Sequence, residues 1–273
     1  MRRIARLLLT LGVIGVTLVP AASAASGPGD AAASTQSVPP RVTRPAPVPE
    51  QRADFFFGQP KGWLSFRGGL FVPRADAELF SFLGDQLTMT PSDFRAKSMD
   101  IEIGVNLSRT LAVEGGFDIA RRGLQSEYRN FVRPNRDPIS QDTLLNQASF
   151  TIGFRVTPTG HGRRISSLSF IPRRVTPYGA AGLQTTYYRF SQNGSFVDFA
   201  DLSIFQDVFA SDGWVTGPYA RGGVDIQLWR RLFVNADLRY SWLRSTLSSD
   251  FQGFPDGLDL AGVRTSTGIS IKF

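Results

Sequence analysis

The sequence predicts an all-β chain whose main domain is an eight-stranded antiparallel up-and-down transmembrane β-barrel. Three observations carry this prediction. From residue 62 onward, apolar and polar side chains alternate in a series of segments, which places them on opposite faces of a sheet. The composition combines 27 Gly and 22 Phe with only 19% charged residues. No apolar run after residue 24 reaches the roughly 20 residues of a transmembrane helix, so a membrane-embedded chain must be a closed barrel.

The first residues have the composition of a secretory signal. Arg2, Arg3 and Arg6 form a positive region, an apolar core follows over 7–19, and Ala22-Ser-Ala24 is a small-residue cleavage site. We therefore expect a cleaved signal peptide over 1–24, a Pro/Ala-rich disordered periplasmic segment over 25–54, and the barrel over 55–273.

Charge and cysteine content narrow the class of protein. The three arginines of the expected signal belong to the formal charge of +7, so about +4 remains on the mature chain. That charge is too small and too scattered for a nucleic-acid partner. The chain has no Cys, which is compatible with export because a barrel needs no disulfide.

The first four strands follow from period-two alternation. They are predicted at 62–72, 97–107, 111–119 and 144–156. The second has the clearest pattern, since Met99, Ile101 and Ile103 oppose Asp100 and Glu102. About ten residues per strand are enough to cross the apolar layer of a membrane.

The last four strands are predicted at 176–187, 217–228, 232–242 and 261–273. The fifth and sixth begin with related segments, Thr176-Pro-Tyr-Gly and Gly217-Pro-Tyr-Ala, and the match sets the register of the fifth, which is ambiguous alone. The eighth ends on Phe273 and carries Arg264 and Lys272 on its polar face.

The connections predict which end of the barrel is which. Segments 108–110 and 229–231 are short, as periplasmic turns are, whereas 73–95, 121–143, 190–212 and 247–259 are long, as outward-facing loops are. The link 157–174 is the exception, because its length is unexplained on the short-turn side. The aromatics expected to form interfacial girdles are Trp63, Tyr187, Trp214, Trp229, Tyr240, Trp242 and Phe273.

The polar faces of the strands contain six acidic and six basic residues. They are Asp100, Glu102, Glu114, Asp118, Asp225 and Asp237, with Arg67, Arg155, Arg221, Arg239, Arg264 and Lys272. Side chains can fill an eight-stranded barrel, and an unpaired charge there is costly, so this lumen charge network is predicted to plug the barrel. An ion path is the alternative interpretation of the same residues.

Candidate chemistry is sparse. The single His161 falls in the link 157–174, on the wrong side for chemistry at the outer leaflet, so no catalytic residue is assigned. No metal site or cofactor is predicted, since Cys is absent and the loop carboxylates lack the spacing of a calcium loop. Apolar residues in the outer loops are instead the candidate contacts for a hydrophobic ligand or partner: Phe80, Phe82, Phe196, Phe199, Phe205 and Phe209. Packing of the same side chains into a lid is the alternative.

The alternating strands, the signal, the Pro-Tyr-Gly type strand starts and the terminal Phe273 make residues 55–273 resemble the OmpA/OmpW-like outer-membrane β-barrels. The resemblance implies a Gram-negative outer membrane with its lipid as surroundings, and reading of the last strand and Phe273 by the barrel-assembly machinery. The first functional hypothesis is a non-enzymatic role in envelope integrity or surface interaction. The alternative, which OmpW-like barrels suggest, is a carrier or pore for small hydrophobic compounds. A lipid-modifying enzyme and a soluble lipocalin-type barrel are the remaining rivals.

Overall fold

A computed structural model describes residues 56–166, 169–251 and 253–273. The expected signal peptide and the Pro/Ala-rich segment lie outside these residues and stay predictions. Within the described part of the chain, no helix is long and apolar enough to cross a membrane.

Eight strands form the main sheet. They are β1 (Gly62–Pro73), β2 (Ala96–Asn106), β3 (Leu111–Val132), β4 (Pro138–Val156), β5 (Val175–Val197), β6 (Ile204–Trp229), β7 (Leu232–Ser241) and β8 (Gly262–Lys272). Each pairs antiparallel with its neighbours in the chain, and β8 pairs with β1 from Gly262↔Pro73 to Lys272↔Trp63. The sheet is therefore a closed barrel, and the predicted eight-stranded up-and-down topology is confirmed.

The two ends of the barrel differ. At the terminal end, where β1 begins and β8 ends, the connections are 107–110, 157–174 and 230–231. At the opposite end, here called the cap end, the connections are 74–95, 133–137, 198–203 and 242–261. The segment 74–95 contains helix α1 (Glu78–Gln86) and a 3-10 turn, Pro91–Phe94.

An apolar belt surrounds the barrel, because the alternation turns large hydrophobic side chains outward. Met99, Ile152 and Leu228 are 71%, 64% and 62% exposed, while Asp100 and Arg155, adjacent in sequence to belt positions, are buried inside. A soluble lipocalin-type barrel has the opposite polarity, with its oily side chains inside. The observed polarity is that of a barrel whose wall faces lipid.

Two hairpins continue beyond the belt, and here the sequence prediction needs correction. Segments 121–143 and 190–212 are not long loops: β3–β4 and β5–β6 run through them, leaving only the turns 133–137 and 198–203. The outward positions beyond the belt are polar, as at Gln125, Glu127 and Asn193, whereas inward Tyr188 and Phe190 are fully buried. Beyond the belt the outward face is therefore no longer consistently apolar, which is why a search for apolar outward faces ends the strands too early.

Aromatic residues line both edges of the belt, with one correction. At the terminal edge, Trp229 and Phe273 are 64% and 51% exposed, and the cap edge has two aromatic pairs. Tyr187 packs on Trp214 at 5.3 Å between ring centroids, and Tyr240 on Trp242 at 4.7 Å. Trp63 does not join a girdle; it lies in the lumen and is 2% exposed.

Candidate functional site

The lumen holds all twelve of the charged residues that the sequence assigns to the polar faces. Each is buried or nearly so, and each has an oppositely charged group within salt-bridge distance. Their shortest contacts divide them into three clusters along the barrel axis, and Arg155 and Glu102, 3.9 Å apart, link two of these clusters. Since each cluster has its own ratio of acids to bases, the geometry specifies more than the overall six-to-six balance.

The central cluster has four carboxylates and two arginines. Arg67 donates to Asp100 at 2.7 Å, to Glu102 at 2.6 Å and to Asp237 at 2.8 Å. Arg221 donates to Glu102 and, at 2.5 Å, to Glu114. The planar, multi-donor guanidinium suits this bridging of several carboxylates.

Aromatic side chains complete the central cluster. Trp63 Nε1 donates to Glu102 Oε1 at 3.0 Å, Tyr178 OH donates to Asp237 at 3.1 Å, and Tyr219 OH donates to Glu114 at 3.1 Å. Sequence reasoning assigned Trp63 to a girdle. The alternation along β1 does predict a lumen position for Trp63, because it lies on the same face of the strand as Ser65 and Arg67, which face the lumen.

A glycine makes room for the largest of these rings. A Cβ at Gly104, which pairs with Trp63 across β1 and β2, would lie 2.1 Å from Trp63 Cζ2. Only a residue without a side chain is compatible with an indole lying flat against the wall there.

The other two clusters each have two bases and one acid. Towards the terminal end, Asp225 accepts from Arg155 and from Lys272, both at 2.8 Å. Towards the cap end, Asp118 pairs with Arg239 through one carboxylate oxygen and with Arg264 through the other. The stack therefore alternates from excess positive to excess negative to excess positive charge, and the clusters sum to zero.

An uncharged polar layer lies next along the axis. Gln184 donates to Ser149 at 3.2 Å and to Thr186 at 3.0 Å, and Ser241 donates to Gln184 at 2.6 Å. All four side chains are buried. The polar layer separates the charged clusters from the apolar mouth.

An apolar core fills the cap end. Inward side chains of the strands, including Tyr188 and Phe190, pack against α1 and against residues from 242–261. From α1, Leu79, Phe80 and Leu83 are at most 2% exposed. Phe80 meets Phe94 edge-on at 5.0 Å between ring centroids. This core, here called the cap, closes the mouth of the barrel.

Some of the six candidate contact residues are buried and others are exposed. Phe80 and Phe196 are buried, as the alternative of packing into a lid expects, and Phe209 is partly buried against the core. Phe82, Phe199 and Phe205 are 38%, 51% and 39% exposed. Helix geometry explains the difference between Phe80 and Phe82, because residues two positions apart do not share a helix face.

Two of the three exposed aromatics, Phe82 and Phe199, belong to a surface patch. Phe82 contacts Phe254 at 5.3 Å and Phe199 at 6.4 Å between ring centroids, and Phe199 contacts Phe131 at 5.9 Å. These four residues, here called the aromatic patch, come from four different segments at the cap end. Their convergence could not be read from sequence spacing.

The long link 157–174 covers the terminal end. Its strands Gly162–Arg164 and Ser169–Pro172 form a three-stranded sheet with Phe56–Phe57. Phe56, Phe170 and Phe233 form a small buried cluster, and Lys272 lies 4.0 Å over the Phe233 ring. The link is therefore long because it builds a lid over this end.

His161 lies beneath this lid and is 6% exposed. Burial, reinforced by the positive charges of Lys272 and Arg155, lowers the pKa of His161 to about 4 despite the opposing effect of Asp225. The imidazole is therefore neutral at pH 7. Its burial at the terminal end separates it from the Ser and Asp residues of the cap-end connections. Among the described residues, no group of three or more potential metal-binding side chains was found.

Closed strand pairing, an outward apolar belt and a charged interior together define a small up-and-down transmembrane β-barrel. The chain therefore has the fold of the OmpA/OmpW-like barrels.

No protein-family model and no curated protein matches the chain. Solved structures similar to it include the outer membrane protein OprG from Pseudomonas aeruginosa, with 13% identity and a TM-score of 0.42 over 80% of this chain and 99% of that one. Ail, the attachment invasion locus protein of Yersinia pestis, has 16% identity and a TM-score of 0.38 over 78% and 98%. Neisserial surface protein A has 13% identity and a TM-score of 0.39 over 81% and 98%.

Proposed function

We propose that the protein is a sealed, non-enzymatic barrel of the Gram-negative outer membrane that acts in envelope integrity or surface interaction through its cap end. One observation carries this proposal: buried side chains lie at every level of the interior, in the terminal lid, the charged clusters, the polar layer and the cap. We place the barrel in the membrane with its cap end outward, so that the terminal end and the N-terminal segment face the periplasm.

The charged interior supports a plug rather than an ion path. A conducting pore needs room for water and for ions that bind weakly enough to leave. Here each charged group is already held by an opposite charge, as where Arg67 contacts three carboxylates. An entering ion would have to displace contacts of about 1.5–3 kcal/mol each.

The packed mouth weighs against a carrier of hydrophobic compounds. Such a carrier needs a cavity where its ligand enters, and the segment 73–95 was a candidate lining. That segment instead contributes Leu79, Phe80 and Leu83 to a packed core. The exposed aromatic patch supports contact with a partner at the surface.

The position of His161 supports a non-enzymatic role. Catalysis by a His–Ser or His–Asp pair at the outer leaflet requires an accessible imidazole close to its substrate. His161 is buried at the end that faces the periplasm in this orientation.

The last strand has the contacts expected of a closing element. The Phe273 carbonyl accepts from Lys61 N at 2.6 Å and from Gly62 N at 3.0 Å, while Phe273 N donates to Gly62 O at 3.0 Å. These bonds fasten the first and last strands together. We propose that the barrel-assembly machinery recognises β8 and Phe273, as the resemblance to small outer-membrane barrels implies.

Recording from single molecules in planar lipid bilayers tests the seal. We expect no steady conductance from the purified, folded chain under conditions in which a water-filled porin gives discrete open levels. A large, steady conductance would overturn the proposal.

Genetic complementation tests the role of the cap end. In a strain lacking the protein, the wild-type chain should restore detergent resistance or surface binding. Phe82→Ser with Phe199→Ser changes two exposed residues of the aromatic patch, and Ile152→Val with Leu228→Val is a matched control in the belt. The proposal is supported if the patch variant fails to restore the property and the belt control restores it. It is contradicted if the strain with the wild-type chain behaves like the strain with an empty plasmid.

A further inference from the structure

Basic side chains surround the terminal end of the barrel. They are Lys61, Arg109, Arg163, Arg164, Arg173, Arg174, Arg230 and Arg231. All eight are exposed, and they occur in the segment before β1 and in every connection at this end. They therefore follow the circumference, and we call them the basic ring.

No carboxylate side chain balances the basic ring locally. Segments 56–62, 107–110, 157–174 and 229–231 contain no Asp or Glu, and none of the eight cations forms a salt bridge among the described residues. Asp225, the acidic residue of the charged cluster towards this end, already pairs with Arg155 and Lys272. At the cap end, by contrast, the connections carry both signs, as with Arg74 and Asp76.

Exposed apolar side chains adjoin these cations. Leu228 and Trp229, 62% and 64% exposed, directly precede Arg230 and Arg231. In the lid, Arg163 pairs across the strands with Ile171, which is 44% exposed. Exposed apolar side chains beside cations are typical of surfaces that bind at a lipid interface. A water-soluble polyanion would neutralise the cations but leave the apolar groups in water.

One part of the basic ring is concave. A cleft of about 560 Å³ is lined by Lys61, Arg109 and Arg164, together with Pro60, Asn106 and Leu107. Three cations thus converge on one polar depression next to Leu107, a belt residue that is 59% exposed. Its size and charge suit a phosphate-bearing headgroup whose acyl chains lie along the belt.

We propose that the basic ring binds the phosphates of anionic phospholipids in the leaflet at the terminal end. This inference rests on the proposed membrane placement and adds a lipid preference to it. A basic residue at a membrane surface favours an anionic lipid by roughly fivefold at low salt. Salt screens exposed charges, so the preference falls as ionic strength rises.

Electron spin resonance with spin-labelled lipids measures this preference directly. The full chain is reconstituted in phosphatidylcholine vesicles containing a trace of spin-labelled phosphatidylglycerol or phosphatidylcholine, and the immobilised fraction of each label is compared. We expect the wild-type chain to select phosphatidylglycerol about fivefold at low salt, with a decline towards equal binding in about 1 M salt. Equal binding at low salt would overturn the proposal, and this measurement needs no variant.

Two variants with equal loss of charge locate the site. The terminal-end variant carries Lys61→Gln, Arg109→Gln, Arg163→Gln and Arg164→Gln, which include the three cations that line the cleft. The control carries Arg95→Gln, Arg136→Gln, Arg189→Gln and Arg244→Gln, four exposed residues on the cap side of the belt. Selectivity should fall towards one in the first and persist in the second. An equal loss in both, or no loss in either, contradicts the assignment.

Two further readouts separate the rivals. A chain that does not enter vesicles contradicts the proposed membrane placement itself, whereas a chain that enters without lipid preference contradicts only this inference. Binding to purified peptidoglycan that the terminal-end variant loses, together with absent lipid selectivity, would overturn it in favour of a cell-wall polyanion.

Discussion

Replacing Asp118 with Asn should destabilise the barrel far more than replacing Glu114 with Gln. The two substitutions make the same chemical change, since each turns a buried carboxylate of the lumen into an amide of the same shape. The clusters around them differ in the ratio of acids to bases. The ranking therefore tests whether the local ratio, rather than burial alone, decides stability.

Asp118 is the only carboxylate paired with Arg239 and Arg264 among the described residues, and both guanidinium groups are at most 5% exposed. Each charge-assisted pair contributes about 1.5–3 kcal/mol, and removing one partner of a buried ion pair costs about 3–5 kcal/mol. The rings of Tyr219 and Phe71, 6.0 Å from Arg239 and 5.3 Å from Arg264, contact these arginines with or without the Asp118 carboxylate and therefore do not offset the loss. We expect Asp118→Asn to lower the free energy of unfolding by about 4 kcal/mol.

Glu114 lies in the cluster with excess negative charge. Arg221 keeps its contact with Glu102 when Glu114 is neutralised, and the amide oxygen of Gln still accepts from Tyr219 OH. The substitution also relieves repulsion among four carboxylates that share two arginines. We expect a loss of about 1 kcal/mol, the net contribution of an ordinary hydrogen bond.

Urea unfolding in lipid vesicles, followed by tryptophan fluorescence, measures both free energies. Glu127→Gln is the control, because Glu127 is exposed on β3 and surface substitutions usually change stability by about 0.5 kcal/mol or less. Adding Arg239→Gln to Asp118→Asn should recover part of the loss, since it removes one of the two unpaired charges. A Glu114→Gln loss equal to or greater than that of Asp118→Asn would refute the reasoning.

Three further predictions follow from the packing. Gly104→Ala should cost about 1–3 kcal/mol of unfolding free energy, because the new methyl group would overlap Trp63, whereas Gly222→Ala, with no atom within 4 Å of its added Cβ, should be neutral in the same urea assay. Phe80→Ala should expose the cap to protease, with a cost of about 3 kcal/mol, while Phe82→Ala should leave digestion unchanged; equal sensitivity would contradict the assignment of Phe80 to the core. Lowering the pH from about 6.5 to 4 should destabilise the wild-type chain more than His161→Gln, by at most about 3 kcal/mol. The pKa of His161 is about 4 in the folded chain, so over this pH range the imidazole is protonated mainly in the unfolded state, and protonation favours unfolding. Parallel stability profiles of wild type and His161→Gln would show that this linkage is absent.

The membrane-spanning part of the fold was predictable because one rule governs it. Lipid outside and a narrow polar lumen inside force strict alternation, as at Met99, Asp100 and Ile101. The hairpin extensions were missed because water replaces lipid beyond the belt. There some inward positions become apolar, as at Tyr188 and Phe190, and many outward positions become polar, so the simple alternation of the belt no longer holds.

The candidate site was also predictable only in part. Alternation assigns a side chain to a face, and that was enough to nominate charged residues for the lumen. It gives no information on partners, because Arg67 and Asp237 are 170 positions apart in the chain. It also cannot separate Phe80 from Phe82, since both are phenylalanines in one connection and only the docking of α1 buries the first.

By itself, the sequence determined the strand number, the direction of the apolar wall and the absence of net charge among the inward-facing ionisable residues. These features depend on local period and composition, which every segment carries without reference to the others. Only the tertiary structure decided which arginine meets which carboxylate, how the link 157–174 forms a lid, and where cap residues become surface residues. Those outcomes depend on barrel closure, which brings distant strands across a lumen only a few side chains wide and makes each neighbour a consequence of register.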